Sequence, residues 1–145
     1  QLDNKNVLLI GAGGAARAIS IAIAHKGCAR LDITNRTPDK AEAVAKLTGG
    51  FTANSRTCAV TLASLDLSSY DIVINATSLG LHDDDPHPVS LDRLRMDCLV
   101  CDIIMVPDRT NWLIAAEQSG RPVHKGRHML DYQLELIGRF IGAFD

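Results

Sequence analysis

A doubly wound α/β domain, with a mostly parallel sheet and helices on both faces, is the fold class that the sequence predicts. Three observations predict it. Short apolar runs such as Val7 to Ile10 lack the alternation of a half-exposed strand and read as strands buried on both faces. Helix-length segments with capping residues at their ends lie between those runs. Strand and helix signals alternate along the whole chain, with no repeat, low-complexity tract or linker dividing it.

The elements follow in order. Val7 to Ile10 is the first strand, and Gly11 to Gly14 form a turn. Ala15 to Lys26, rich in alanine and isoleucine, is a helix that Gly27 stops as a C-cap. Ala29 to Thr34 is the second strand. Thr37 and Pro38 start the second helix as N-cap and first helical residue, and it ends near Thr48 to Gly50. A weaker strand falls within Thr57 to Thr61, with a short helix at Leu62 to Leu67. Asp71 to Asn75 is the next buried strand. The loop from Ala76 to Pro88 exceeds the usual connection, and loops of that kind are either mobile or functional. Leu99 to Ile104 is a strand, Thr110 to Ser119 a helix, Pro122 to His124 a short last strand and Arg127 to Phe144 a final helix. The sum is a Rossmann-like sheet.

Composition narrows the functional classes. A chain of 145 residues with 46% hydrophobic side chains can bury one core and reads as a single domain. The net charge of -2 favours neither nucleic acid nor an acidic membrane surface as partner. No apolar run is long enough to span a bilayer and the first residues lack signal-peptide order, so a cytoplasmic location is the default expectation. Cys98 and Cys101 read as C-x-x-C, but without a second such pair, and beside the apolar run LVCDIIMV, they are assigned as buried structural thiols like Cys28 and Cys58. His82 and His87 flank three aspartates in LHDDDPHP, a segment so rich in turn formers that a solvated loop is expected rather than a metal site.

Two motifs carry chemistry. GAGGAARA, from Gly11 to Ala18, sits between a strand and a helix. Gly11 permits the tight turn, Gly13 lets backbone approach a pyrophosphate, and Ala16 allows close helix packing. With Ala12, Gly14 and Ala15 these residues form a cradle in which free amides and the helix dipole face the anion. The second motif, Asn35-Arg36-Thr37 with Lys40 one turn on, stands where an NAD site usually carries an acid for the ribose 2′-hydroxyl. Arg36 can fork onto a 2′-phosphate, Asn35 and Thr37 can donate to it, and Lys40 adds a point charge, so the cofactor expected is NADP. Asp32 lies inside its strand and is not read as a ribose ligand.

GAGGAARA, NRTPDKA, INATSLGL, CDIIMVPDRT and KGRHMLDYQ resemble, in order and spacing and over nearly the whole chain, the cofactor domain of the shikimate dehydrogenase family. Glutamyl-tRNA reductases share a similar glycine turn and NRT-like segment, but the ATSLG loop and the M-L-x-x-Q ending look like the shikimate family. The resemblance implies NADP-dependent interconversion of 3-dehydroshikimate and shikimate, or of a related cyclic hydroxy acid such as quinate. Hydride transfer belongs to the nicotinamide, which the protein positions. The resemblance further implies that Ala76, Thr77 and Ser78 lie along the cofactor, that Ile103 and Gly126 line the nicotinamide pocket, and that Gln133 reaches the substrate.

Two residues depart from the family pattern. Met105 stands where a substrate-binding tyrosine is common and cannot donate a hydrogen bond, and His128 replaces a glycine. The lysine and aspartate that manage the proton in that family belong to an amino-terminal substrate domain without a counterpart here, and Lys26, Lys46 and Lys125 read as surface residues. No catalytic residue is therefore assigned, and the chain alone is expected not to turn over substrate. A non-catalytic NADP-sensing module is the alternative. In the last helix Leu130, Leu134, Ile137, Ile141 and Phe144 form a stripe that Met129, Leu136 and Phe140 widen beyond the need of one sheet face. Such a surface asks for another domain or a second copy in a homodimer.

Overall fold

The computed structural model describes residues 2–51 and 55–129. Its strands are β1 (Asn6–Ile10), β2 (Arg30–Thr34), β3 (Arg56–Ala59), β4 (Ile72–Asn75), β5 (Leu99–Asp102) and β6 (Val123–His124). They form one sheet in the order β3-β2-β1-β4-β5-β6, with every neighbouring pair parallel. The helices are α1 (Gly14–Lys26), α2 (Pro38–Gly49) and α3 (Asn111–Gln118). The expected doubly wound fold is the observed one. Strand order reverses between β1 and β4, which opens a crevice at the carboxyl edge of the sheet.

Strand β1 shows why its apolar run does not alternate. Val7 and Leu9 pack into one core with Ile23, Leu31, Ile33 and Val44, and Leu8 and Ile10 pack into a second with Tyr70, Val73, Trp112 and Leu113. A central strand buried on both faces needs apolar residues at both parities. Helix α1 covers the first face through Ala16, Ser20, Ile23 and Ala24, and α2 covers it through Ala41, Val44, Ala45 and Thr48. Both sets lie on one side of a 3.6-residue repeat. Helix α3 covers the second face with Trp112, whose indole N–H donates to the Val89 carbonyl over 3.1 Å.

Several local expectations change in detail. The helix expected over Leu62 to Leu67 is instead two 3-10 turns, Leu62–Ser64 and Leu67–Ser69. Asp66 separates them because its side chain accepts from the Ser68 amide at 3.0 Å and starts a new turn. Thr37 takes the N-cap position of α2 without a side-chain cap bond. Strand β5 stops at Asp102, two residues early, where the Asp102 carboxylate takes the Ile104 amide at 3.0 Å and turns the chain. The last helix starts at Arg127, while its apolar stripe from Leu130 onward lies outside the described residues.

A buried polar cluster locks β2 to the segment before β4. Asp32 is 4% exposed, takes the Tyr70 hydroxyl at 2.6 Å and lies 3.1 Å from Arg30 Nε. The Arg30 guanidinium also covers the Tyr70 ring at 4.8 Å. Burial and the neighbouring Asp32 carboxylate raise the phenol further above its ordinary range, so Tyr70 stays a neutral donor. Tyr70→Phe removes that donor and leaves a buried carboxylate short of a partner, with an expected loss of about 1–3 kcal/mol in urea unfolding. A loss below about 0.5 kcal/mol would contradict this account of the cluster.

Candidate functional site

The final residues of four strands form one row across the sheet, because Ile10 pairs in register with Thr34 and with Asn75, and Asn75 with Asp102. The turns that leave this row therefore share one edge. Gly11 follows β1, donates to the Thr34 carbonyl at 2.8 Å and has φ +118. A Cβ on Gly11 would stand 2.6 Å from the Ala76 carbonyl oxygen, so glycine is required by sterics as well as by backbone angle. The first two predicted segments, after β1 and after β4, thus meet backbone to backbone.

Beyond Gly11 the turn opens outward. Gly13 is the N-cap of α1 and has no side chain with which to cap it, and no acid lies in the first turn. A Cβ on Gly13 or on Gly14 would meet nothing within 4 Å. Gly13, Gly14 and Ala15 are exposed, so the start of α1 offers amides to an outside anion.

A cleft of about 590 Å³ runs along the same edge, lined by Ile10, Thr34, Asn35, Arg36, Thr77 and Ser78 among others. Of the residues singled out in the sequence, Asn35, Arg36, Thr77 and Ser78 line it. The remaining ones are placed around it: Ala12 and Ala76 are buried at the turn, and Thr37 and Lys40 are exposed on α2. Among the described residues Arg36 and Lys40 have no ion-pair partner. Asn35 donates to the Thr37 carbonyl at 3.1 Å, which holds the β2–α2 turn.

Ile103 and Gly126 form a second backbone contact, away from the cleft lining. A Cβ on Gly126 would fall 2.4 Å from the Ile103 carbonyl group, so the segments after β5 and β6 are pressed together as the implied pocket requires. Gln133 lies outside the described residues. Exposed Met105 stands at the end of the same β5 turn, and His128 stacks its ring 4.9 Å from that of His124. Burial and the neighbouring His128 lower the basicity of His124.

Sequence reading missed two parts of this edge. Val60, Thr61, Leu62 and Ala63 form the far wall of the cleft. No residue type marks them, and they arrive there because β3 runs parallel to β2 and exits beside it. The second part is a buried polar network. Asn75 donates to the Asp102 carboxylate at 3.2 Å and to the Leu79 carbonyl at 2.9 Å, and it accepts from the Thr77 amide and hydroxyl at 3.1 and 2.6 Å. The Thr110 hydroxyl donates to Asp102 at 2.9 Å. A polar residue closing each of two apolar strands was the available signal.

The long loop after β4 is pinned. Asp85 takes the amides of Gly80 and His82 at 2.9 and 3.1 Å, and Asn111 reaches the Asp83 carbonyl at 2.9 Å. The three aspartates make no metal cluster among the described residues. Cys28 and Cys98 are buried and Cys58 and Cys101 half-buried, all as free thiols. No helix among the described residues is long and apolar enough to cross a membrane.

Comparison with known proteins places these features. The Shikimate / quinate 5-dehydrogenase family matches residues 1–105. The NADP(+) shikimate dehydrogenase of Bacillus licheniformis is 43% identical over 142 residues, which is 97% of this chain and 46% of that protein. Among solved structures, shikimate dehydrogenase of Thermus thermophilus in complex with NADP(H) and shikimate matches with TM-score 0.82 at 29% identity, covering 97% of this chain and 50% of that one. Ligand-free 5-ketofructose reductase of a Gluconobacter species matches with TM-score 0.79 at 36% identity, covering 88% and 47%. The chain spans about half the length of the curated relatives it matches.

The pinned loop yields a pH prediction. The Gly80 and His82 amides hold the Asp85 carboxyl below its ordinary range. Its contribution to loop order is therefore present above the unfolded carboxyl value, about 3.9, and is lost as pH falls through the lower folded one. Asp85→Ala should speed hydrogen exchange at the Gly80 and His82 amides at neutral pH, whereas the parent chain should show that faster exchange only in strong acid. Unchanged exchange in the variant would remove Asp85 from this role.

Proposed function

Since this chain belongs to the shikimate / quinate 5-dehydrogenase family, we propose that it is the cofactor-binding unit of an NADP-dependent oxidoreductase acting on a CH–OH group. The observation that carries the reading is the shared edge. An open glycine cradle at the start of α1 and an ion-pair-free Arg36 leave adjacent strands joined through the Gly11–Thr34 hydrogen bond.

The residues present fit NADP. Gly11 to Ala15 would hold the pyrophosphate, since the free amides of the first turn of α1 face outward and no acid competes for them. Arg36 would take the 2′-phosphate, with Asn35, Thr37 and Lys40 beside it, and the wall at Thr61 to Ala63 would bound the adenosine. Ala76, Thr77 and Ser78 would run along the cofactor, and Ile103 with Gly126 would back the nicotinamide. Bound NADP supplies the hydride chemistry, and these residues bind and orient it. Gln133 is proposed to contact the substrate.

For the whole protein a shikimate-type cyclic hydroxy acid is the proposed substrate, with quinate or another hydroxy acid as the alternative. Met105 favours the alternative, because it is 38% exposed at the β5 turn and offers no donor to a carboxylate. The similarity to a 5-ketofructose reductase supports the view that one cofactor unit serves several substrates.

Calorimetric titration tests the cofactor assignment. The chain should prefer NADP to NAD, and Arg36→Ala should cost on the order of 1.5–3 kcal/mol for NADP and little for NAD. Equal binding of the two nucleotides by the parent chain would end the assignment.

A second variant separates binding from folding. Gly13→Ala adds a methyl group that meets nothing in the chain, so unfolding stability should shift by no more than about 0.5 kcal/mol. The same methyl group should obstruct the pyrophosphate and weaken NADP about tenfold or more, which is about 1.4 kcal/mol. Undiminished binding by Gly13→Ala would show that the cradle lies elsewhere.

A further inference from the structure

Asn75 and Asp102 close adjacent parallel strands in register, and both are buried, at 0% and 3% exposure. Every polar atom of their side chains is engaged. The Asn75 amide nitrogen spans the Leu79 carbonyl and the Asp102 carboxylate, and its oxygen takes both Thr77 donors. Thr77 in turn takes the Leu79 amide on its hydroxyl at 3.1 Å. Asp102 collects the Ile104 amide and the Thr110 hydroxyl, and Thr110 caps α3 by accepting from Leu113 at 3.3 Å.

The network therefore grips two backbone segments at once. One is Ala76 to Leu79, of which Thr77, Ser78 and Leu79 line the cleft. The other is Ile103 to Ile104, against whose carbonyls Gly126 packs. Neither segment belongs to a strand or helix, so neither has a ladder of its own to fix it. No atom of Asn75, Asp102 or Thr110 lies among the cleft-lining residues, so these three act through the segments they hold.

We propose that Asn75, Asp102 and Thr110 are positioning residues for the nicotinamide half of the dinucleotide, clamping the segments after β4 and β5 into one rigid wall. This rests on the assignment of that wall to the nicotinamide made above. The adenosine half is held at β2 and α2, outside the network, so the two halves should respond separately to its loss.

The experiment compares NADPH with 2′,5′-ADP, which carries the adenosine and both its phosphates but no nicotinamide. Asp102→Asn keeps the shape of the side chain but turns an amide toward groups that are all donors. It should weaken NADPH about tenfold, the scale of one lost hydrogen bond, and leave 2′,5′-ADP unchanged. It should also diminish the emission change of the bound dihydronicotinamide. Thr110→Val should behave likewise, while Thr110→Ser, which keeps the hydroxyl, should restore parental behaviour. The Thr110 pair gives the answer by itself if Asp102→Asn does not fold.

Parental NADPH affinity and emission in both Asp102→Asn and Thr110→Val would overturn the inference. So would an equal loss for 2′,5′-ADP, which marks general loosening. A parent chain that binds 2′,5′-ADP while these variants fail to separate the ligands refutes the positioning role alone. A parent chain that binds neither ligand refutes the cofactor assignment and the positioning role with it.

Discussion

Backbone-on-backbone packing at the carboxyl edge of the sheet is the constraint on which the rest of this structure depends. Gly11 has room for no Cβ because the Ala76 carbonyl occupies that space, and Gly126 has none because of Ile103 and Ile104. These contacts draw the exits of β1, β4, β5 and β6 together at the point where strand order reverses. An open α/β sheet places its ligand site outside such a reversal, since neighbouring chains depart there to opposite faces. Side chains then need only line a crevice that the backbone has already shaped.

The fold was legible because its signals are local. Double-sided burial of β1 can be read from Val7 to Ile10 alone, and the helix stop at Gly27 from one glycine, which adopts φ +77. The glycine turn and Arg36 were legible for the same reason: each follows a strand at a fixed short offset. What escaped was non-local. The pairing of Asn75 with Asp102 spans 27 residues and exists only because β4 and β5 share a register. The cleft wall at Thr61 to Ala63 is likewise a product of topology. Leu62 to Leu67 failed as a helix because apolar content suggested one, while Asp66 offered its own carboxylate to the backbone and broke the run.

The two buried aspartates of the sheet answer different needs. Asp32 sits against a guanidinium and a phenol, so its charge has a cation nearby, and the cluster crosslinks β2 to the Tyr70 segment. Asp102 has no cation among its hydrogen-bond partners, only dipoles from Ile104, Asn75 and Thr110. Dipoles compensate a buried charge less fully than a paired ion does.

That difference has a thermodynamic sign. Burial raises the Asp102 carboxyl above its ordinary range even though the three donors pull it down. A folded-state value above the unfolded one means that the folded chain keeps its proton longer, so stability falls as pH rises from the unfolded value through the folded one. At neutral pH the ionised Asp102 therefore opposes folding rather than favouring it. A residue whose charged form costs stability is explained poorly as a strut and well as a jig: it accepts three donors from three separate segments, and an apolar replacement would pack but could not orient any of them.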